Sequence, residues 1–154
     1  MTKPLLTKLL PEQISTFWDI IKYAIENTLP PIVGEHPDKL NRILSAALSG
    51  KVSVWAVHTK HEEGNKFEAI ALTNILYDEV SETKNLLIYC LYGYNIISKK
   101  SWEFGIRKLA EHAKAEGCNQ IVAYTTSSHI VNMVNKLGGN TEQTFISFDV
   151  NKFV

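Results

Sequence analysis

The segment Asn85–Gly117, which reads NLLIYCLYGYNIISKKSWEFGIRKLAEHAKAEG, decides the fold of this chain. Its apolar run from Leu86 to Tyr94 predicts a strand in the middle of a sheet, since apolar side chains occupy both alternating faces. We expect Leu86, Ile88, Cys90, Tyr92 and Tyr94 on one face, and Leu87, Tyr89 and Leu91 on the other. A helix with one apolar stripe then begins near Ser101 and ends at Gly117.

The chain continues this alternation after Gly117. We predict a strand at Ile121–Thr125, a helix at Ser128–Leu137 and a last strand at Thr144–Val150. The region from Asn85 onward therefore reads strand, helix, strand, helix, strand. That order is typical of an α/β fold.

Upstream, the pattern predicts two helices and an antiparallel hairpin. Proline favours the start of a helix and stops one from within. The elements expected here are a short strand Leu5–Leu10, a helix from Pro11 to Pro30, a helix from Asp38 to Gly50, and strands Val52–His58 and Phe67–Tyr77 joined by the turn His61–Asn65.

Length and charge narrow the class of protein. The 154 residues fit one domain, 1–154, with a single core. Sixteen Lys and Arg balance 16 Asp and Glu, so the chain lacks the positive field of a nucleic-acid binder. No run is long enough to span a membrane, and the two cysteines suit a reducing compartment. We therefore expect a soluble, cytoplasmic protein. The five histidines show no spacing typical of a metal site.

The element order resembles that of the Gcn5-related N-acetyltransferases across nearly the whole chain. Two motifs carry the likeness: Leu109–Cys118, LAEHAKAEGC, resembles the end of the family's cofactor helix, and Val134–Gly139, VNKLGG, resembles its late helix-to-strand turn. The resemblance implies a single α/β (α+β) domain with a mixed central sheet flanked by helices. It also implies an acyl-CoA donor, a cleft between splayed strands and direct attack by a substrate amine.

The family's phosphate-binding motif is absent from this chain. That motif is Gln or Arg, two spacers, Gly, one spacer, then Gly or Ala, and glycine lets main-chain N–H groups approach the pyrophosphate. Ile97, Lys100 and Trp102 occupy those three positions. A shifted register that uses Gly105 restores only one of them. The sequence thus predicts a degenerate cofactor loop.

The family's usual catalytic groups are missing as well. The resemblance implies a carboxylate base near the central strands, but Asn85–Asn95 contains none. It implies a tyrosine acid in the late helix, where this chain has Val134. An aliphatic side chain cannot donate a proton, so both differences weigh against turnover. Slow acyl transfer that depends only on holding the two reactants close together stays possible.

Five residues would bind the cofactor if the acyl-CoA cleft is retained: Tyr94, Ser98, Lys99, Lys100 and Trp102. The two lysines can hold phosphate as point charges, or be solvated residues at a helix start. The indole of Trp102 can instead fill the space of the diphosphate and close the cleft. Tyr94 and its neighbour Tyr92 can line an acyl pocket or belong to the core.

A narrower resemblance links the run Leu86–Gly93, Trp102 and the turn Ala113–Cys118 to small acetyltransferase-like proteins of tailed bacteriophages. It implies a non-catalytic domain without cofactor that acts through protein contacts or self-assembly, in the host cytoplasm or the virion. The alternative is an acyl-CoA-dependent N-acetyltransferase that uses acetyl-CoA. We place the non-catalytic function first because of the missing motif, with no nucleic acid, membrane or metal expected for either.

Overall fold

The computed structural model describes residues 4–61, 64–94 and 97–154, without the side chains of Lys60, His61, Asn65 and Lys66. The chain forms two compact units, the first ending at Ala123 and the second comprising Tyr124–Val154. Part of the predicted turn at His61–Asn65, and Asn95–Ile96 in the predicted cofactor loop, lie outside the described residues. The single domain 1–154 stays a prediction.

The first unit contains five strands and four helices within its described residues. They are β1 (Pro4–Lys8), α1 (Pro11–Thr16), α2 (Trp18–Thr28), α3 (Lys39–Ser49), β2 (Val52–His61), β3 (Gly64–Asp78), β4 (Thr83–Gly93), α4 (Lys99–Ala115) and β5 (Gln120–Ala123). The sheet order is β1-β2-β3-β4-β5. The first four strands pair antiparallel, whereas β5 pairs parallel to β4. This confirms the predicted mixed sheet flanked by helices.

Each face of the sheet has its own apolar core. Helices α1 to α3 cover one face, where Ile21 and Ile25 pack over Val54 and Leu72. Helix α4 covers the other face, and its Leu109 and Ala113 pack against Trp55, Ala71 and Leu86. Because both faces are covered, the central strands are apolar on both sides, as the sequence predicts.

The predicted faces of β4 are wrong beyond Ile88. In the β3–β4 pairing, Leu72 is opposite Cys90 and Thr73 is opposite Ile88, so Tyr89 is an extra, bulged residue. The insertion shifts the alternation by one position. Leu86, Ile88 and Leu91 therefore pack on the α4 side, whereas Tyr89, Cys90, Tyr92 and Tyr94 pack on the α1–α3 side.

The helical boundaries differ from prediction in one place. The helix expected to run unbroken from Pro11 is divided at Phe17, whose φ of −102° and ψ of 17° end α1 and precede α2. Asp38 is at the N-cap position of α3, but its side chain makes no capping hydrogen bond. Gly50 ends α3 with a φ of 86°, a left-handed conformation that favours glycine.

The second unit contains α5 (Ser128–Lys136) and a short 3₁₀ turn, Val150–Lys152. The strand predicted at Thr144–Val150 is not formed: residues 144–149 are irregular and exposed. An alternating pattern makes a strand only where another strand is available to pair. Here Asp149 instead accepts a hydrogen bond from the main-chain N–H of Asn151, which starts the 3₁₀ turn. None of the helices in the described ranges is long and apolar enough to cross a bilayer.

Candidate functional site

The edge of β4 that faces β5 is open over its last residues. Pairing between the two strands ends at Ile88 and Ala123, but β4 continues to Gly93. Along Tyr89–Gly93, no strand in the described parts of the chain pairs with this edge. The main-chain N–H and C=O groups of such an edge can bind an extended ligand as an added strand.

The bulge at Tyr89 lies where this open edge begins. A bulge bends its strand and re-aims the neighbouring main-chain groups, and bulges are frequent beside active sites. The bend occurs one residue after the last β4–β5 pair. The two strands therefore part where the bulge of β4 begins.

Ser98 is the N-cap residue of α4 and hydrogen-bonds to the first turn of the helix. Ser98 Oγ accepts a hydrogen bond from the main-chain N–H of Ser101 at 3.1 Å, and Ser98 O accepts one from the N–H of Trp102 at 3.0 Å. Lys99 and Lys100 are exposed. Lys99 Nζ lies 3.9 Å from Glu103 Oε1, an exposed pair that adds little stability. The positive end of the helix dipole and two lysines thus meet at one exposed surface.

Gly105 marks open space beside α4. It lies in the same helical stripe as Ser101, Leu109 and Ala113, which are 7%, 5% and 4% exposed. Yet a Cβ built on Gly105 would meet no atom of the described residues within 4 Å, apart from its chain neighbours and the main chain of its own helix. A stripe that is packed at its other positions therefore leaves a gap at Gly105 among the described residues.

Trp102 does not fill this gap. Its indole is half-buried, and Nε1 is shielded from solvent without a hydrogen-bond partner among the described residues. No indole atom lies within 4 Å of the Cβ position of Gly105. The hypothesis that Trp102 closes the diphosphate site itself stays a prediction, but the indole leaves the space beside Gly105 open.

Tyr94 lies apart from the other four predicted cofactor-binding residues. Ser98, Lys99, Lys100 and Trp102 share the start of α4, whereas the ring of Tyr94 packs on the α1–α3 side of the sheet. Burial raises the pKa of Tyr94, and the neighbouring Tyr92 raises it further, so the hydroxyl stays protonated near neutral pH. The structure thus divides the predicted set between two faces.

Three tyrosines form a chain of ring contacts on the α1–α3 side. Tyr23 of α2 meets Tyr92 edge to face at 5.5 Å, and Tyr92 meets Tyr94 at 5.1 Å. A hydrogen bond with Tyr23 is the main cause that raises the pKa of Tyr92, followed by burial. Tyr92 and Tyr94 are also packed against the core, in agreement with one of the two interpretations from sequence, and the acyl-pocket interpretation stays a prediction.

His58 is a candidate residue that sequence reasoning assigned only to the neighbourhood of a hairpin. Its Nε2 lies 3.0 Å from Thr7 Oγ1, and its Nδ1 is buried without a partner among the described residues. The available signal was a polar residue in phase with Val54 and Ala56, which are buried on the α1–α3 side. Alternation alone did not show that its second nitrogen lacks a partner.

The second unit holds the late helix α5 and the turn that follows it. Val134 of α5, which occupies the position of the family's acid, is half-buried, and Gly139 donates its N–H to Val134 O at 2.8 Å. His129 is exposed beside the N-cap residue Ser127. Within the described residues, no three His, Cys, Asp or Glu side chains come together as metal ligands.

Solved structures of acetyltransferases share this architecture. A predicted acetyltransferase from Clostridium acetobutylicum, solved with acetyl-CoA, is 14% identical with a TM-score of 0.66, over 97% of this chain and 98% of that chain. The chain has the fold of the Gcn5-related N-acetyltransferases. Glucosamine-6-phosphate N-acetyltransferase from Arabidopsis thaliana is 14% identical with a TM-score of 0.64, over 96% and 98% of the two chains.

A third structure, AAC(6')-Iy in complex with a bisubstrate analog, CoA-S-monomethyl-acetylneamine, is 11% identical with a TM-score of 0.67, over 96% of this chain and 97% of that chain. At these identities the likeness establishes the fold alone. No protein-family model matches the sequence, and no curated protein matches it either.

Proposed function

We propose that the protein is an acyl-CoA-dependent N-acyltransferase. One observation carries this proposal: the open edge of β4 at Tyr89–Gly93 lies on the same sheet as a helix whose inward stripe leaves a gap at Gly105. An extended ligand with amide groups can pair with the strand edge while its apolar parts occupy the gap. The pantetheine arm of coenzyme A has this chemistry.

The first turn of α4 would hold the diphosphate through charge rather than through a glycine-rich loop. Ser98 already satisfies the N–H of Ser101, so the lysine side chains of Lys99 and Lys100 supply the main attraction. Lysine binds phosphate as a mobile point charge, and the helix dipole adds to the attraction. These residues fit a bound diphosphate, although more loosely than a main-chain nest would.

Bound acyl-CoA would supply an activated thioester, and this chain would act mainly by positioning. The open edge would fix the acyl arm by pairing with its amide groups. Holding two reactants together lowers the barrier without a dedicated acid. Because Val134 replaces a proton donor, the departing thiolate takes its proton from solvent or from the amine, and we expect slow turnover.

Calorimetric titration of acetyl-CoA tests the proposal. We expect one saturable site in the wild type, and at least tenfold weaker binding in Lys99→Glu/Lys100→Glu, because the phosphates would then meet two carboxylates. Acids at a helix start are favourable, so this variant should stay folded. The matched control is Arg107→Glu/Lys108→Glu, with the same change in charge two turns further along the exposed side of α4.

Two results would count against an acyltransferase. Absence of saturable binding would reject the cofactor site, and equal weakening in the test and control variants would show that only net charge matters. Added salt gives a further check, since screening should reduce the affinity of the wild type more than that of the doubly reversed variant.

A second candidate is a non-catalytic acetyltransferase-like domain that works through protein contacts or self-assembly, as in phage virions. The side chains that favour it are exposed apolar residues of the second unit: Ile146, Phe148 and Phe153, which are 74%, 75% and 72% exposed. Size-exclusion chromatography with light scattering tests for self-assembly. A monomer at every concentration that also binds acetyl-CoA would favour the acyltransferase.

A further inference from the structure

The segment Thr144–Val150 has the side-chain pattern of a strand but no strand to pair with among the described residues. Its residues 144–149 are irregular and exposed to water. Exposed main-chain groups beside apolar side chains are the features through which strands pair with another chain. The segment therefore needs a partner that a single copy of the chain does not supply within its described residues.

The apolar surface exposed here is large enough for an interface. A phenylalanine side chain has roughly 150–250 Å² that packing can bury, and Phe145, Phe148 and Phe153 are 45%, 75% and 72% exposed, so these three leave roughly 300–500 Å² open to water. Aliphatic side chains that are at least 71% exposed enlarge this surface: Ile146, Val150 and Val154. The total exceeds the largest patch of most monomers and approaches the roughly 800 Å² that each partner contributes to a standard interface.

Only one side of the segment has a partner within its own unit. The ring of Phe145 meets that of Tyr124 edge to face at 5.2 Å. In an extended segment Ile146 and Phe148 point to the opposite side, and they are 74% and 75% exposed. The main chain of Asp149 is already extended, with a φ of −73° and a ψ of 114°. The side formed by Ile146 and Phe148 is thus free for a partner.

The segment is complementary to itself when two copies run antiparallel. With Ser147 opposite Ser147 of a second copy, Ile146 is opposite Phe148 in both directions. A β-branched residue opposite an aromatic one is a favourable cross-strand pair. Glu142 precedes the segment and Lys152 follows it, so an antiparallel arrangement brings opposite charges together, whereas a parallel one would bring like charges together. The chain has no net charge, so two copies do not repel each other overall.

We propose that Phe145–Asp149 pairs with the same segment of a second copy, as an antiparallel ribbon with its two-fold axis at Ser147. The strand that the alternation predicts then forms in the dimer, because the second copy supplies the missing partner. A two-fold contact uses the same surface on both copies, so assembly stops at the dimer. The inference goes beyond the proposed function and holds for a binding protein as well as for an enzyme.

Sedimentation velocity over a wide range of protein concentrations tests the dimer. We expect the wild type to reach twice the 17.4 kDa of one chain, and Phe148→Lys to dimerise at least a hundredfold more weakly, because the two-fold axis removes both Ile146–Phe148 pairs at once. Phe148 is exposed, so the variant should stay folded, as circular dichroism will show. The matched control is Val80→Lys, at a 96% exposed position in the turn between β3 and β4, which should dimerise like the wild type.

Thermal unfolding gives a second measurement on the same proteins. A dimer stabilises only the folded chain, so the melting temperature of the wild type should rise with protein concentration. That of Phe148→Lys should be independent of concentration over the same range.

A disulfide across the two-fold axis tests the register. Opposed residues of an antiparallel pair have Cα atoms about 4.5–5.5 Å apart, which a disulfide can bridge. Ser147→Cys should therefore form a covalent dimer on mild oxidation, in a chain that also carries Cys118→Ser, since the other cysteine, Cys90, is buried. Gln143→Cys in the same background is the control, because the two copies of that position would be roughly 27 Å apart.

Four results would overturn the inference. They are a monomer at every concentration, undiminished dimerisation of Phe148→Lys, equal loss in Val80→Lys, and crosslinking of Gln143→Cys as fast as that of Ser147→Cys. Assemblies that grow beyond the dimer would also contradict a closed two-fold contact.

Discussion

Replacing Gly105 by alanine should stabilise the protein. Glycine inside a helix costs about 1 kcal/mol relative to alanine, because the unfolded chain loses more freedom. A Cβ at Gly105 would meet nothing within 4 Å among the described residues, so no steric cost offsets this gain. We expect Gly105→Ala to raise the free energy of unfolding by ~1 kcal/mol, and the melting temperature by roughly 2–4 °C.

Urea denaturation followed by far-ultraviolet circular dichroism measures this change. If the unfolding free energy of the variant and of the wild type depends on urea concentration with the same slope, the gain comes from stability and not from a changed unfolded state. A loss of ~1 kcal/mol instead would show that the inward face of α4 is filled at this position. The open cleft, on which the proposed function depends, would then be refuted.

A larger side chain at the same position separates stability from binding. Gly105→Leu should stay folded, because the space is open and leucine favours helices, but it should bind acetyl-CoA at least tenfold more weakly. Ala110→Leu, at an exposed position of the same helix, is the control and should bind normally. Unchanged binding in Gly105→Leu would show that the ligand lies elsewhere.

Three further predictions concern stability, all measured by urea denaturation. Gly139→Ala should lower the free energy of unfolding by about 1–3 kcal/mol, because the new Cβ would be placed against Val134 Cγ1. Adding Val134→Ala to the same chain should recover part of that loss. Strictly additive effects of the two substitutions would contradict the contact. Thr73→Val should cost about 1–3 kcal/mol by leaving the buried Trp55 Nε1 without its 2.9 Å acceptor, and a neutral result would show that another acceptor is available. Burial and, to a smaller extent, Lys8 lower the pKa of His112, against an opposing effect of Glu116, so the unfolded chain binds more protons at this residue below about pH 6.5. The free energy of unfolding should therefore fall from pH 7 to pH 5 by more in the wild type than in His112→Phe. Equal slopes against pH in the two proteins would refute this.

Local pattern was sufficient to predict the architecture. Proline, glycine and apolar periodicity located the strands and helices described in the first unit, except that α1 and α2 were predicted as one helix, and Gly50 adopts the left-handed conformation expected at a helix end. The mixed sheet was implied by the family resemblance that this order of elements carries. These signals are local, so they can be read from the sequence without knowledge of tertiary contacts.

The bulge at Tyr89 could not be predicted, because the run Leu86–Tyr92 is apolar at every position and an inserted residue leaves the pattern unchanged. The last strand was predicted wrongly for a related reason, since alternation at Thr144–Val150 says nothing about an available partner edge. Both depend on pairing between distant segments.

The candidate site was only partly predictable. The loop residues Ser98, Lys99, Lys100 and Trp102 were selected from sequence, and the structure places them together at the start of α4. The gap at Gly105 was invisible, because an empty space is a property of packing.

A crystal structure grown with acetyl-CoA tests the central claim most directly. We predict a pantetheine arm paired with the main chain of Tyr89–Gly93, with Gly105 in van der Waals contact and the diphosphate near Lys99 and Lys100. Coenzyme A bound at another surface, or a cleft closed by side chains with no ligand in it at saturating acetyl-CoA, would contradict the account.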